Sequence, residues 1–377
     1  MAQALRLAER GLYTTSPNPR VGCVLVQDGH VVGEGWHERT GELHAEAHAL
    51  RAAGEAARGA TAYVTLEPCS HQGRTPPCAD ALIQAGVKRV VAAVQDPNPQ
   101  VAGQGMAKLR AAGIEVECGL MEAAARELNI GFFSRMTRGT PWLRSKIAMS
   151  LDGRTALANG ESKWITGAAA RQDVQYWRAR SCAVLTGIGT VLADDPQLNV
   201  RGTEASRQPL RVVVDNALRI PLNARILSTE QTPSLTLPRR ERGQPPSSTG
   251  AGGRLLVYTA TQDAEKIDAL EQAGARVLVL PDANGQVDVA AVLRDLAAQG
   301  CNEVLVEAGS KLNGVLLEAG LVDELVLYVA PQLLGDMARG MARLGELTSL
   351  DQRIELDWQD VRHVGRDLRI VARVKKG

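Results

Sequence analysis

Apolar and polar positions alternate along the chain in the rhythm of an α/β protein, with short apolar runs separated by amphipathic segments. In the first part of the chain the apolar runs predict strands, and the segments between them predict helices. The predicted strands are Val21–Val26, Thr61–Leu66, Arg89–Val94 and Ile114–Cys118, and the predicted helices are Ala45–Gly54, Ala79–Gly86, Gly103–Ala112 and Glu122–Arg138. This alternation favours a three-layer α/β/α domain.

A domain boundary is predicted at Gly139 and Pro141, which are strong helix breakers, so the chain divides into residues 1–139 and 140–377. The α/β rhythm then resumes. The predicted strands are Leu143–Ala148, Ala183–Thr186, Leu210–Asp215, Arg254–Tyr258, Arg276–Leu280, Glu303–Glu307, Glu324–Ala330 and Leu368–Val374, and the helices are Ala168–Arg180, Asp263–Ala273, Asp288–Gln299 and Lys311–Ala319. Residues Glu230–Gly253 are rich in Pro, Ser, Thr and Gly, which predicts a flexible surface insertion.

The composition narrows the class of protein. The chain has 377 residues, of which 45% are hydrophobic and 23% charged, as in soluble globular proteins. A net charge of +1 and an aromatic content of 3% disfavour a nucleic-acid partner. The chain lacks an apolar run of about 18 residues, which disfavours a membrane partner. The first residues, MAQALRLAERG, lack the apolar core of a secretory signal, so we expect a cytoplasmic protein.

In the reducing cytoplasm the six cysteines are expected to remain thiols. Cys23, Cys182 and Cys301 lie in or beside apolar runs, and Cys118 ends a short alternating run, so a place in the core is favoured for all four.

Four other residues form a candidate metal centre. The segment GELHAEAHAL supplies His44 and Glu46, and LEPCSHQGRTPPC supplies Cys69 and Cys78. One imidazole and two thiolates suit zinc and leave a fourth position for water, as catalytic zinc requires. His44 and Cys78 each open a predicted helix, whose N-terminus favours a thiolate at Cys78. Glu46 is suited to moving protons to and from the reacting groups.

The order H-x-E followed by P-C is that of the zinc-dependent deaminases, whose signature continues with a second cysteine after two residues. Here eight residues separate Cys69 from Cys78. The alternative for each residue alone is structural, with His44 capping a helix and the cysteines filling the core. As an ordered set they favour the zinc site.

Longer segments around these residues are distinctive in combination. They are, in order, NPRVGCVLV, GEGWH, GELHAEAHAL, VTLEPCSHQGRTPPC and QDPNPQVAG, and in the second part KIAMSLDGRTA, GESKWIT, TGIGTVLADDPQLNVR, VEAGSKLNG, LVDELVLYVAPQLLG and RHVG. Together they closely resemble the bifunctional deaminase/reductase family of bacterial riboflavin biosynthesis. The resemblance implies a cytidine-deaminase-like N-terminal domain and a dihydrofolate-reductase-like α/β C-terminal domain.

The resemblance implies that residues 1–139 bind one Zn²⁺ through His44, Cys69 and Cys78, with Glu46 as general acid and base. They would hydrolytically deaminate 2,5-diamino-6-(5-phosphoribosylamino)pyrimidin-4-one. The candidate substrate contacts are Asn18, His71 and Arg74. For Arg74, a substrate-phosphate contact and an ordinary solvated loop arginine are equally favoured.

For residues 140–377 the resemblance implies NADPH-dependent reduction of the ribosyl side chain, giving 5-amino-6-(5-phosphoribitylamino)uracil. The implied NADPH contacts are Ala148, Trp164, Thr190, Asp194, Asn216 and the loop of Gly309, Ser310, Lys311, Leu312, Asn313, Gly314 and Val315, and the implied substrate contacts are Ser162, Arg178, Leu198, Arg201 and Glu307. Lys146 and Asp152 are candidates for opening the ribose ring, with a surface pair or a turn as the equally favoured alternative.

Two other classes of function remain open on the residues alone. One is a tRNA or nucleotide deaminase with an accessory domain, disfavoured by the cysteine spacing and the near-neutral charge. The other is a non-catalytic nucleotide-binding or zinc-structural protein, disfavoured because structural zinc normally has four protein ligands. The family resemblance also implies a homodimer or larger homo-oligomer, and strand Glu324–Ala330 is a candidate interface.

Overall fold

The computed structural model describes residues 1–70, 77–99, 101–203, 207–228 and 255–376. The predicted insertion Glu230–Gly253 lies outside the described residues. The chain divides into two compact units, Met1–Thr140 and Pro141–Gly377.

The first unit is built on a mixed sheet flanked by helices. Its elements are α1 (Ala2–Glu9), β1 (Gly22–Gln27), β2 (His30–Trp36), α2 (Ala45–Ala53), β3 (Thr61–Val64), α3 (Cys78–Gln84), β4 (Arg89–Ala92), α4 (Gln104–Ala111), β5 (Glu115–Cys118), α5 (Glu122–Leu128) and α6 (Ile130–Arg138). The described strands take the order β2-β1-β3-β4-β5. β1 is antiparallel to β2 and β3, whereas β3, β4 and β5 are parallel.

Both faces of this sheet are covered, which makes three layers. On β1, the side chains of Cys23 and Leu25 pack in the core formed with α2, α3 and α4. Val24 points to the opposite face and packs with α1. This alternation follows from the two-residue period of a strand.

The second unit has a larger sheet. Its elements are β6 (Trp142–Ser150), β7 (Arg154–Ala156), α7 (Ala168–Arg180), β8 (Ala183–Gly187), α8 (Ile188–Asp194), β9 (Leu210–Val214), β10 (Leu255–Thr259), α9 (Ala264–Gln272), β11 (Ala275–Val279), α10 (Val289–Ala298), β12 (Glu303–Val306), α11 (Ser310–Glu318), β13 (Glu324–Ala330), β14 (Arg339–Gly340), β15 (Leu356–Val364) and β16 (Asp367–Val374). The main sheet has the order β11-β10-β9-β8-β12-β6-β13-β16-β15. It is parallel from β11 to β13, and β16 and β15 extend it antiparallel.

Helices cover both faces of the parallel part. Leu293 and Leu296 of α10 pack on one face, and Val191 of α8 and Leu270 of α9 pack on the other. Because the strands from β11 to β13 are parallel, their carboxyl ends share one edge of the sheet, where the loops that follow them can form a binding cleft.

Several predictions at the level of elements were wrong. The predicted helix Glu122–Arg138 is broken at Asn129, where α5 ends and α6 begins. The Asn129 side chain donates to the carbonyl of Arg20 at 2.9 Å and accepts from its N–H at 2.8 Å. Strand β13, the candidate interface, offers neither a free edge nor an exposed side chain for a subunit contact, because it lies between β6 and β16 and all its residues are buried. Cys118, expected in the core, is exposed at the end of β5.

The structure also has elements that the apolar pattern did not predict, namely β2, β7, α8, β14 and β15. The side chains of β15 are mostly exposed, so this edge strand has no apolar face to reveal it. In the residues that the structure describes, no helix combines the length and apolar character needed to cross a membrane.

Candidate functional sites

The three predicted metal ligands come together in the first unit. His44 is the N-cap of α2, Cys78 is the first residue of α3, and Cys69 lies in the loop after β3. The Nδ1 atom of His44 is 3.6 Å from Sγ of Cys69 and 3.3 Å from Sγ of Cys78. A tetrahedral zinc with ordinary bond lengths keeps nitrogen and sulfur ligands about 3.6 Å apart. The donor set and its spacing therefore fit zinc.

The group has three protein ligands, which distinguishes it from a structural site. Among the described residues, no fourth His, Cys, Asp or Glu joins these three, whose ligand atoms lie within 4.8 Å of one another. A zinc held here keeps a coordination position for water or substrate, as catalytic zinc does.

The electrostatics of the group favour a cation. Hydrogen bonding from Cys78 and His44 holds the pKa of Cys69 well below the usual range of a thiol, despite the opposing effect of burial. The hydrogen bond with Cys69 raises the pKa of His44. A thiolate next to a thiol and an imidazole is a set of donors from which a divalent metal displaces protons.

Glu46 is buried beside the three ligands, with 3% of its surface exposed. Burial, and then the negative charge of Cys69, raise the pKa of Glu46 to about 7. A carboxyl group with a pKa near neutrality can both accept and donate a proton at physiological pH. It is therefore suited to general acid–base catalysis.

A close approach between α2 and β2 positions His44 and Glu46. A Cβ atom on Gly35 of β2 would lie 2.4 Å from the carbonyl oxygen of Ala45, so only glycine allows the first turn of α2 to pack here. The same turn carries His44 and Glu46. Gly35 belongs to the GEGWH segment, and the glycines of this segment allow the close packing of α2 that positions His44.

Asn18, a predicted substrate contact, is oriented by His37, which sequence analysis missed. Burial lowers the pKa of His37, so its ring is neutral and carries one N–H. Nδ1 lies 3.1 Å from the Leu43 carbonyl, which can only accept, so Nδ1–H donates to it. Nε2 then accepts from Nδ2 of Asn18 at 3.2 Å.

The His37 ring also contacts the ring of His44 edge to face, with centroids 5.3 Å apart, which connects Asn18 to the metal group. The other two predicted contacts of this unit, His71 and Arg74, lie outside the described residues.

The second unit has a cavity of about 1950 Å³ among the loops that follow the parallel strands. This exceeds the roughly 300–1,000 Å³ of ordinary small-ligand pockets. It is lined by the predicted substrate residues Ser162, Arg178, Leu198, Arg201 and Glu307 and by the predicted cofactor residues Ala148, Trp164, Thr190, Asp194, Asn216, Gly309, Ser310, Lys311, Leu312 and Val315. The cavity has room for a dinucleotide and a second ligand.

Asn313 and Gly314, also predicted to contact the cofactor, are absent from this lining. The buried Asn313 donates to the carbonyls of Ala308 and Met341, and a Cβ atom on Gly314 would lie 2.0 Å from the Arg343 carbonyl. Contrary to the prediction, these two residues face the protein interior. They contact the backbone that supports the loop and do not line the cavity.

Three charged residues form a group inside the cavity. Arg178 donates to Glu307 through Nε at 2.5 Å and Nη2 at 3.0 Å. Burial raises the pKa of Glu307, but the positive charges of Arg178 and Lys146 together have the larger effect, so the pKa of this carboxyl is lowered. Burial lowers the pKa of Lys146, partly offset by Glu307. Glu307 is therefore ionised, and Lys146 is the group that gives up a proton more easily than an ordinary lysine.

Asp152, the other candidate for opening the ribose ring, is not in the cavity lining. Its carboxylate accepts from the hydroxyl of Ser150 and from the N–H groups of Leu334 and Gly335. This arrangement is that of a turn residue.

Both units match families of known proteins. Residues 141–370 match the RibD C-terminal domain, and residues 1–94 match the cytidine and deoxycytidylate deaminase zinc-binding region. The riboflavin biosynthesis protein RibD of Escherichia coli K12 is 50% identical over 98% of this chain and 96% of its own length.

Two solved structures are similar over the full chain. Acinetobacter baumannii RibD is 46% identical, with a TM-score of 0.86 over 100% of this chain and 98% of that one. A Thermotoga maritima diaminohydroxyphosphoribosylaminopyrimidine deaminase/5-amino-6-(5-phosphoribosylamino)uracil reductase is 33% identical, with a TM-score of 0.83 over 100% and 97%.

The chain belongs to the RibD family. This confirms the family resemblance and the fold class predicted from the sequence. As a RibD protein, the chain is a bifunctional deaminase and reductase of riboflavin biosynthesis. The zinc-binding match spans His44, Glu46, Cys69 and Cys78, and the RibD C-terminal match spans every cavity residue.

Proposed function

We propose that the first unit removes the 2-amino group of 2,5-diamino-6-(5-phosphoribosylamino)pyrimidin-4-one by hydrolysis. The second unit then reduces the ribosyl side chain with NADPH. The product is 5-amino-6-(5-phosphoribitylamino)uracil. The proposal rests on one observation, that a single RibD chain contains both kinds of site. One is a group of three metal donors beside a buried carboxyl, and the other is a cavity large enough for two ligands.

In the first unit, His44, Cys69 and Cys78 hold one zinc ion per chain. Bound zinc supplies a Lewis acid that lowers the pKa of water to near neutrality. Glu46 removes a proton from the attacking water and delivers a proton to the departing amine nitrogen, so that ammonia leaves. Its pKa of about 7 suits both transfers.

Asn18 contributes recognition of the pyrimidine. Since its Nδ2 donates to His37, its Oδ1 remains available to accept from a substrate N–H or amino group. His71 and Arg74 lie between Cys69 and Cys78 in the sequence and are therefore further candidate substrate contacts, with Arg74 suited to the phosphate.

In the second unit, the cavity binds NADPH and the deaminated pyrimidine together. The cofactor supplies hydride. Gly309 is the N-cap of α11, so the N–H groups at Ser310 and Lys311 are suited to a phosphate of the dinucleotide. Of the two arginines that the family resemblance assigns to the substrate, Arg178 is paired with Glu307, so the exposed Arg201 is better suited to the 5′-phosphate.

Reduction at C1′ requires that the ribose ring opens first. The bond between C1′ and the ring oxygen breaks, the oxygen takes a proton, and the lone pair of the exocyclic nitrogen forms a protonated imine with C1′, which then accepts the hydride. Lys146 is the proton donor to that oxygen, because it lines the cavity and its burial lowers its pKa. Glu307 and Arg178 hold their charges and orient it.

The choice of NADPH over NADH is supported by two arginines that line the cavity after β9. Arg219 and Arg225 line it and follow β9, as does Asn216. Arginine is suited to a ribose 2′-phosphate. We place the protein in the cytoplasm, where Cys69 and Cys78 remain thiols. We also expect a homo-oligomer, and the exposed edge strand β15 with Trp358 is its candidate contact.

Two assays on one preparation test the proposal. Ammonia release from the diaminopyrimidine measures the first activity, and NADPH oxidation with the supplied deaminated pyrimidine measures the second. Both rates are expected, together with one zinc per chain. Ammonia release without NADPH oxidation would instead support a deaminase with an accessory domain.

A further inference from the structure

Glu67 is a buried carboxylate that neither reaction uses. Only 3% of its surface is exposed, and it lies two residues before the metal ligand Cys69. Its two oxygens accept four backbone hydrogen bonds: Oε2 from Asp96 at 3.2 Å and Gly103 at 2.9 Å, and Oε1 from Gly105 at 2.9 Å and Met106 at 3.2 Å. A carboxylate with two bonds on each oxygen has its acceptor sites filled, so Glu67 is not available as a base or metal ligand.

These four N–H groups belong to two segments that are distant in sequence from Glu67. Asp96 follows β4, whereas Gly103 is the N-cap of α4 and Gly105 and Met106 lie in its first turn. Glu67 therefore caps α4 from another part of the chain and connects the end of β3 to the segment after β4. Backbone N–H groups at a helix start have no partner within the helix and favour a negative charge.

The residue between Glu67 and Cys69 is held in the same place. A Cβ atom on Gly105 would lie 1.8 Å from the carbonyl oxygen of Pro68, so the first turn of α4 packs directly against this peptide group. The Glu67 side chain and the Pro68 backbone thus fix one side of the loop that carries Cys69.

Cys69 depends on such support more than the other two ligands. His44 and Cys78 are set by the starts of helices α2 and α3, but Cys69 belongs to neither a helix nor a strand. On its far side the loop is held by α3, where Ala79 N–H donates to the Cys69 carbonyl at 3.1 Å and Cys78 N–H to its Sγ at 3.3 Å.

We propose that Glu67 is a positioning residue for the metal centre, which holds Cys69 at coordinating distance by binding the first turn of α4 and the segment after β4. This inference rests on the proposed zinc site and adds a residue to it. Residues that support a metal ligand typically contribute about 10–100-fold to metal affinity.

The test is the zinc affinity of Glu67→Gln, measured by competition with a chelating dye, with Glu122→Gln as the control. The amide group of Gln replaces one oxygen by a donor, so two of the four N–H groups lose their acceptor. The zinc dissociation constant is expected to rise about 10–100-fold, and deamination should recover when zinc is added. Glu122 is 44% exposed on α5, and its substitution should change neither.

Reduction in the same chain is an internal control for protein concentration and for the second unit, and it should stay at the parental rate, whereas recovery of deamination on adding zinc shows that the first unit is folded. Gly105→Ala supplies a second variant, because it displaces α4 from Pro68 without changing charge; it should weaken zinc binding in the same direction. A zinc dissociation constant within about twofold of the control for Glu67→Gln, or a parallel loss of reduction, would overturn the inference. Absence of zinc from the parental protein would contradict the proposed function instead.

Discussion

The two candidate sites of this chain are built in different ways. The metal centre depends on a few residues at fixed places, with ligand atoms within 4.8 Å of one another. The reductase cavity occupies about 1950 Å³ and is lined by loops from many elements. In the first site the loss of one side chain should remove the chemistry, whereas in the second most single changes should alter binding by degrees. The following predictions test that contrast, beginning with the largest effect.

Cys78→Ser should abolish deamination. Cys78 is 3% exposed, and serine preserves the packing but is a poor ligand for zinc. Metal analysis and ammonia release on one preparation measure the result. The exposed Cys118 supplies the control, since Cys118→Ser should retain both zinc and activity. Retention of stoichiometric zinc by Cys78→Ser would show that Cys78 is not a ligand.

Lys146→Met should lower reduction by about 10²–10⁴-fold, the usual contribution of a general acid. Because burial lowers the pKa of Lys146, the parental rate should fall with rising pH earlier than an ordinary lysine would allow, and the variant should lack that limb. Stopped assays across pH, with the exposed Lys266→Met as control, check both points. If the rate of the variant had the same pH dependence as that of the parental protein, Lys146 would not be the proton donor.

The preference for NADPH over NADH in kcat/KM should be about tenfold or more, since hydrogen bonds to a charged group contribute roughly 1.5–3 kcal/mol. The double variant Arg219→Gln, Arg225→Gln should reduce this preference, because it should weaken the binding of NADPH and leave the binding of NADH unchanged. Steady-state rates with both cofactors provide the measurement. Equal efficiency in the parental protein would count against the cofactor assignment.

Replacing residues 230–253 by a short Gly/Ser turn should have the smallest effect. The segment lacks apolar periodicity, so it should contribute to neither core. Both rates and the thermal midpoint should remain nearly unchanged. A large loss of reduction would mean that the insertion contributes to the second site.

The same contrast explains what the sequence could predict. The metal ligands were predictable because residue type, order and neighbouring proline together specify one chemistry. Buried parallel strands such as β8 and β12 were predictable from their apolar runs, but the exposed β15 was not. His37 and Glu67 were missed because their roles depend on hydrogen-bond partners distant in sequence. Asn313 was wrongly predicted to contact the cofactor because a sequence motif does not specify the direction of each side chain.

The central claim is that one chain holds two chemically independent sites. Glu46→Gln tests it most directly, because it removes the base while preserving size and leaving the three ligands in place. Zinc content, ammonia release and NADPH oxidation with supplied deaminated substrate should be measured on one preparation. We predict zinc near one per chain, deamination reduced by at least about 10²–10⁴-fold and reduction at the parental rate. Loss of zinc would make Glu46 a ligand, and loss of reduction would contradict the independence of the two sites.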